Sequence, residues 1–357
     1  MLDLTQFLSR ALDDRASDLF FIPGTYASEK VNNVIQPIHD RKLMPEDIYM
    51  LVKQVYALAD DRSMETLENT GDDDFAFSKK GLGRFRMNAY RQRGSFAAVL
   101  RCVSYEIPDP EQLHIPRQVM DLSKLRNGLV LVTGAAGSGK STTLACLIDK
   151  INSERNGHII TLEDPIEFLH GHKKCIVSQR EVKQDTISYS AALRAALRQS
   201  PNVILLGEMR DFETIQTALT AVETGQLLLS SLHTLGAAQT IDRIIDVFPA
   251  EQQQQVRMQL SLSLRAVISQ QLIPAVDGSV VPVFEIMIAT PAIQNMIRDK
   301  KVFQMDTVIH SGQSDGMISM DSDILRLYKE GVITKENAVL YAINPDQIRK
   351  RLDERRL

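Results

Sequence analysis

GLVLVTGAAGSGKS, Gly128 to Ser141, is the stretch whose reading decides the fold. Six residues, mostly apolar and two of them valine, read as a buried strand. The next eight fill the pattern G-x-x-x-x-G-K-[ST] and open a helix. That order matters chemically. The glycines permit a loop in which the backbone of Gly134, Ala135, Ala136, Gly137, Ser138 and Gly139 closes its N–H groups around phosphate oxygens. The following helix adds its positive end. Lys140 is placed to reach the β- and γ-phosphates, Ser141 to ligate magnesium, and Thr142 to support the α/β side. The alternative is a glycine-rich turn with no ligand, which the strand before and the helix after disfavour.

Downstream, the apolar runs HIITLED, VILLGE and QLLLSSLH alternate with helical patterns, the signature of a parallel sheet and an α/β fold. A helical pattern with Val256, Leu260, Leu264 and Ile268 on its apolar side contains QQQQ at 252–255, read as a solvated helix face. From Thr290 onward the chain reads as almost entirely helical. Upstream, the first 105 residues read as α+β. An amphipathic helix (Leu2, Leu4, Phe7, Leu8, Leu12) leads to the strand LFFI and a turn at Pro23-Gly24. Thr25 to Asp40 is loop or hairpin. Helices follow near Pro45 to Ala59 and Asp61 to Asn69, then the strands DFAFS, RFRMNAYRQ and FAAVLRCV. In RFRMNAYRQ, Phe85, Met87 and Ala89 alternate with Arg84, Arg86, Asn88 and Tyr90, so one face is apolar and the other basic. The three prolines of SYEIPDPEQLHIP mark a linker. The expected domains are therefore 1–105, a linker at 106–126, and 127–357 with a helical region from about 290.

Three further stretches carry chemistry. HIITLEDPIEF delivers Glu163, Asp164 and Glu167 at a strand's end, where Pro165 stops it. Carboxylates this close repel unless a cation sits among them, and a magnesium nucleotide supplies one; Asp164 and Glu167 are candidates for the metal shell. A solvated acidic loop is the alternative. VILLGEMRD ends in Gly207, which lets the backbone approach the phosphate loop. Glu208 then projects a carboxylate toward the γ-phosphate to polarise the attacking water. P-loop nucleotide hydrolases usually place an aspartate at this strand's end; here the acidic cluster at Glu163 shares the metal shell. Asp211 is the expected N-cap of the next helix. SSLHT places His233 at another strand's end, where open α/β sheets bind ligands, to sense the γ-phosphate or hold Glu163. HGHKKC, His170 to Cys175, matches no zinc spacing.

Composition narrows the classes. Apolar residues make up 44% and charged residues 24% of the 357, ordinary for a soluble globular chain. The net charge of −4 gives no reason to expect nucleic-acid binding. Three isolated cysteines, at 102, 146 and 175, provide neither a disulfide framework nor a four-cysteine zinc site, which fits a reducing cytoplasm. The amino terminus lacks the basic start and apolar core of a signal peptide, and no apolar run is long enough to span a membrane. Any membrane contact is expected to be peripheral.

In order, GAAGSGKSTT, TLEDPIEF, VSQREV, ALRAALRQSPNVILLGEMRD, ETGQLLLSSLHT and TIDRIIDVFP resemble the secretion ATPase superfamily, specifically the type IV pilus retraction ATPases of the PilT family. The boxes are known there as Walker A, Asp box, Walker B and His box. The resemblance implies a P-loop NTPase with a RecA-like core, a PAS-like N-terminal domain and a helical C-terminal tail. It implies ATP and Mg2+ as ligands, a homohexamer hydrolysing ATP between neighbours, and pilus machinery with an inner-membrane platform protein as partners. The implied location is cytoplasmic, at the inner face of the cytoplasmic membrane. Family arginines that contact the nucleotide match Arg86 in RFRMNA and Arg101 in VLRCV, giving a catalytic set of Glu208, Glu163, His233, Arg86 and Arg101. AIQNMIRD resembles the retraction motif AIRNLIRE: Ala292, Asn295, Ile297 and Arg298 fit, and Gln294 departs from arginine. An assembly or secretion ATPase is one rival, usually carrying a four-cysteine zinc module and a longer amino terminus. An accessory retraction paralogue and a non-hydrolysing, nucleotide-gated assembly module are others. A DNA-translocating motor would need a basic pore lining that the sequence does not display.

Overall fold

The computed structural model describes residues 2–31, 34–103 and 106–353. Two units emerge, Met1–Glu106 with Glu167–Leu169, and Ile107–Ile166 with His170–Leu357. Ser104 and Tyr105 of the proline-containing segment lie outside the described residues, as do Asn32 and Asn33 within the Thr25–Asp40 stretch.

In the N-terminal unit, α1 (Leu4–Asp13) starts where Asp3 accepts a hydrogen bond from the Thr5 N–H, and it buries Leu4, Phe7, Leu8 and Ala11 at helical spacing. The chain continues through β1 (Asp18–Phe21), β2 (Tyr26–Val31), β3 (Val34–Lys42), α2 (Pro45–Leu58), α3 (Glu65–Thr70), β4 (Asp72–Lys79), β5 (Gly83–Gln92) and β6 (Ser95–Val103). The sheet order is β3-β2-β1-β6-β5-β4, with every pair antiparallel. Phe85, Met87 and Ala89 face the core with Phe75 and Phe77, following the alternation in the sequence. The polar stretch from Thr25 is a hairpin, β2–β3.

That hairpin buries a carboxylate. Glu29 has no exposed surface; its Oε1 accepts from Gln36 Nε2 at 2.9 Å, and its Oε2 has no partner. Burial, with nearby Asp14, raises its pKa, although Gln36 and Arg10 oppose the shift. A carboxyl whose folded pKa is raised stabilises least above that value, because folding then must desolvate a charge. Glu29→Gln is therefore expected to raise the melting temperature at neutral pH by a few degrees, about 1 kcal/mol. The gain should vanish as pH falls through the ordinary glutamate range. Thermal unfolding at pH 4 and pH 7 checks this; equal shifts at both would remove the ionisation from the account.

The second unit runs through α4 (Arg117–Asp121), β7 (Gly128–Thr133), α5 (Lys140–Glu154), β8 (Gly157–Glu163), β9 (Cys175–Glu181), α6 (Tyr189–Ala196), β10 (Val203–Leu206) and α7 (Phe212–Glu223). It continues with β11 (Leu227–Leu232), α8 (Ala237–Asp246), α9 (Ala250–Ser263), β12 (Leu264–Pro274) and β13 (Val280–Ile288). The helices α10 (Pro291–Arg298), α11 (Met305–Ser311), α12 (Met320–Lys329), α13 (Lys335–Leu340) and α14 (Pro345–Asp353) complete it. Ile115, Val119, Met120 and Leu122, in the stretch read as linker, pack with the valines of β7 in this unit's core.

The sheet order is β13-β12-β7-β11-β10-β8-β9, parallel except for β13 against β12. β7 and β11 are buried at every residue, and so is β10, as the unbroken apolar runs require of strands covered on both faces. One reading needs correction: Leu264 and Ile268 do not extend the helix of Val256 and Leu260. The helix ends at Ser263, and Leu264–Pro274 is a strand. The alternation of LRAVISQQLI competed with the helical spacing and prevailed, because β7 and β13 flank it on both sides. In QQQQ, Gln252, Gln254 and Gln255 are exposed and Gln253 is half-buried.

Candidate active site

Sheet order builds the site. β7, β11, β10 and β8 are consecutive neighbours, so the residues leaving their C-terminal ends share one edge. That edge carries the glycine loop after β7, His233 after β11, Gly207 and Glu208 after β10, and Glu163 and Asp164 at β8. Adjacent strands lie about 4.8 Å apart, which keeps these groups within reach of one small ligand.

In the loop, Gly134 has φ 144° and Gly139 φ 87°. A Cβ at Gly134 would collide with the Gln270 carbonyl and the Ser138 hydroxyl, and one at Gly139 would stand 2.7 Å from Gln270 Nε2. Ala135, Ala136 and Gly137 form the exposed rim, while Ser141 and Thr142 are half-buried at the helix start. The buried Lys140 donates from Nζ to the Gly134 and Ala135 carbonyls at 2.9 and 2.8 Å, so its stem already points into the loop. The Ser138 hydroxyl is buried with no partner. A cradle that side chains would fill, an unsatisfied hydroxyl and an ammonium held against the loop carbonyls fit a triphosphate. Among the described residues no group of three or more acids, histidines or cysteines could hold a metal ion. Magnesium held largely by phosphates and water, with the Ser141 hydroxyl, suits such a donor set.

Glu208 is buried, 9% exposed, and its Oε2 lies 2.5 Å from Arg210 Nε and 3.3 Å from His233 Nε2. His233 thus holds Glu208, not Glu163. The Glu163 Oε1 accepts from Thr161 Oγ1 at 2.6 Å and from Gln179 Nε2 at 3.3 Å, and Asp164 pairs with Lys183 at 3.3 Å. Gly207 is clamped between strands: its N–H donates to the Leu162 carbonyl, and its own carbonyl accepts from Ser231 Oγ at 2.6 Å. Asp211 caps α7 through the Thr214 N–H. Glu167 groups with Phe168 and Leu169 in the N-terminal unit, which leaves Glu163 and Asp164 of that cluster at this edge beside Glu208.

Arg86 and Arg101 also belong to the N-terminal unit. They stand directly opposite each other on β5 and β6, so two guanidiniums share one face of that sheet. Arg86 pairs with Asp74 at 2.5 Å, and Arg101 pairs with Asp18 at 3.3 Å. In α10, Ile293 and Ile297 are buried while Ala292 and Asn295 are exposed, and Arg298 bonds Asn295.

Two neighbours of the site escape motif reading. Gln270 on β12, 3% exposed, accepts from Thr143 Oγ1 at 2.8 Å and packs beneath Gly134 and Gly139. A polar pair inside the apolar strand SQQL was the available signal. Arg210, exposed but 2.5 Å from Glu208, lay in the quoted MRD without a role; its guanidinium is held more firmly protonated by that carboxylate. The cysteines contribute nothing reactive: burial pushes the Cys102 and Cys146 thiols up to about 12 and about 11.

A phosphate loop after β7 and a buried carboxylate after β10, on parallel strands separated by β11, define a P-loop nucleoside triphosphatase. The family model described as Type II/IV secretion system protein matches residues 2–314. The type IV pilus retractation ATPase PilT of Pseudomonas aeruginosa is 45% identical over 94% of this chain and 97% of its own. The twitching motility protein of Neisseria gonorrhoeae is 43% identical over 89% of this chain and 85% of its own. The P. aeruginosa type IV pilus ATPase PilU is 38% identical over 98% and 91%. A crystal structure of the pilus retraction motor PilT with bound ADP superposes with a TM-score of 0.89 at 43% identity, covering 98% of this chain and 100% of that one. The chain belongs to the Type II/IV secretion system protein family and, within it, to the PilT family of ATPases.

Proposed function

We propose that this chain is an ATP-hydrolysing motor subunit that works as a homohexamer to power type IV pilus retraction. It would act on an inner-membrane platform protein from the cytoplasmic face. The observation that carries the reading is Glu208: a nearly buried carboxylate, held by His233 and Arg210, at the same sheet edge as a formed phosphate loop. A module that bound nucleotide only to assemble would have no use for a base there.

The chemistry follows from the placements. Gly134 to Thr142 bind and orient the triphosphate, and Lys140 transfers its ammonium from loop carbonyls to the β- and γ-oxygens. Glu208 takes a proton from the water that attacks the γ-phosphorus, while His233 fixes its rotamer. The Ser141 hydroxyl, with Glu163 and Asp164, would hold a magnesium ion, which would supply neutralisation of the phosphate charge. Arg86 and Arg101 supply the remaining positive charge within the assembled ring. The chain is similar to both PilT and PilU, so an accessory retraction ATPase is the second reading.

Arg101 provides the test of assembly. Arg101 is exposed and its partner Asp18, although buried, keeps the Ser17 hydroxyl as a donor, so Arg101→Ala should cost the subunit no more than about 1 kcal/mol. Turnover in six-subunit rings should fall at least about tenfold, since an arginine on the transferring phosphoryl group contributes 10³–10⁵ in other phosphohydrolases. Turnover measured on mass-verified rings decides it, and an undiminished rate would remove Arg101 from the site.

A further inference from the structure

Gly207 follows β10 at the position where P-loop nucleotide hydrolases usually carry an aspartate, and the space that a side chain would fill is taken. A Cβ built on Gly207 would stand 2.8 Å from Tyr189 Oη, 3.2 Å from the Leu162 carbonyl and 3.5 Å from Glu163 Cα. Tyr189 is the first residue of α6, whose N-cap Ser188 accepts from the Ala191 N–H, and its ring packs against the main core cluster. Ring and helix together fix where the hydroxyl sits.

The surroundings of that hydroxyl are acidic. Burial raises the Tyr189 pKa most, followed by the charges of Glu208, Asp164 and Glu163 in that order. The phenol therefore stays protonated and is a donor throughout the working pH range. Its Oη makes no hydrogen bond to a described residue, although it is not sealed from solvent. Glu208 is in the complementary state. Arg210 and His233 both occupy Oε2, and no described residue donates to Oε1. A donor without a partner thus faces the bare Cα of Gly207, and the next residue in the chain carries an acceptor without one.

We propose that Tyr189 is a positioning residue for ATP hydrolysis, its hydroxyl donating to Glu208 Oε1, directly or through one water, and so aiming the carboxylate at the attacking water. The inference rests on the reading of Glu208 as the base. It explains why glycine suits position 207. A fourth acid beside Glu163, Asp164 and Glu208 would add like-charge repulsion, whereas a neutral hydroxyl offers a hydrogen bond without charge. Glycine also leaves the hydroxyl the room it needs.

Tyr189→Phe keeps the ring and its packing and removes only the oxygen. Steady-state ATP turnover of the native chain, Tyr189→Phe and Glu208→Gln is compared at equal ring mass, with kcat and KM for ATP separated. The expected result is a kcat about tenfold below native in Tyr189→Phe, the low end of the loss of one hydrogen bond to a charged acceptor. KM and ring mass should be unchanged. A kcat within twofold of native, or a loss expressed wholly in KM or in ring assembly, overturns the role of Tyr189 while leaving Glu208 in place. Native turnover in Glu208→Gln overturns the base assignment itself, and the Tyr189 proposal with it.

Discussion

Glu208→Gln is expected to fold, assemble and bind ATP like the native chain while hydrolysing it about 10²–10⁴-fold more slowly, the range lost when a positioned general base is removed. The amide matches the carboxylate in volume but cannot take a proton from water. Structural side effects should be small. The partners of Glu208 are the exposed Arg210 and the half-exposed His233, which solvent screens, so stability should change by less than about 1 kcal/mol. Binding contacts reside in a different strand and loop, Gly134 to Thr142, so the dissociation constant for ATP should stay within a few-fold. Single-turnover hydrolysis of labelled ATP, with equilibrium nucleotide binding on the same preparation, separates the two quantities. Loss of binding together with turnover would mean that Glu208 shapes the pocket instead of activating water.

The second large effect is the converse. Lys140→Ala should weaken ATP binding by about 2–4 kcal/mol, roughly 30–1,000-fold in dissociation constant, the usual loss when one member of a buried charge pair is truncated. Lys140 is 8% exposed, and its stem is already ordered by bonds to the Gly134 and Ala135 carbonyls. Phosphate oxygens therefore gain a fixed cation with little further side-chain entropy lost. The loop itself should survive, since its course is set by the positive φ of Gly134, Gly137 and Gly139 and by the Gln270 contacts beneath. Titration with a fluorescent ATP analogue measures the shift. A dissociation constant within threefold of native would place the phosphates elsewhere.

How far the sequence alone carries follows from which interactions are local. GLVLVT and GAAGSGKS announce a strand, a loop and a helix within fifteen residues, because each depends on neighbours in the chain. Glu208 and His233 were legible for the same reason: both sit just past apolar runs, and a polar group there must face the sheet's edge. What a motif cannot reveal is order across the sheet. That β11 lies between β7 and β10 decides that His233 meets Glu208 and not Glu163, and nothing in SSLHT encodes it. Gln270 reaches Thr143 across 127 positions. Tyr189 approaches Gly207 only because α6 lies against the sheet, with no periodicity to announce it. The boundary at Ser263 was misplaced because LRAVISQQLI satisfies both a helical and a strand pattern, and only its partners β7 and β13 choose.

The central claim is that assembled copies of this chain turn over ATP at the edge shared by β7, β11, β10 and β8. Steady-state ATP hydrolysis by the native protein, recorded across a concentration series with oligomer mass measured in parallel, tests it most directly. The account predicts turnover that rises with the six-subunit species and saturates when the ring is complete. Turnover that is constant per subunit from monomer to ring, or its absence from fully formed rings supplied with MgATP, would contradict it.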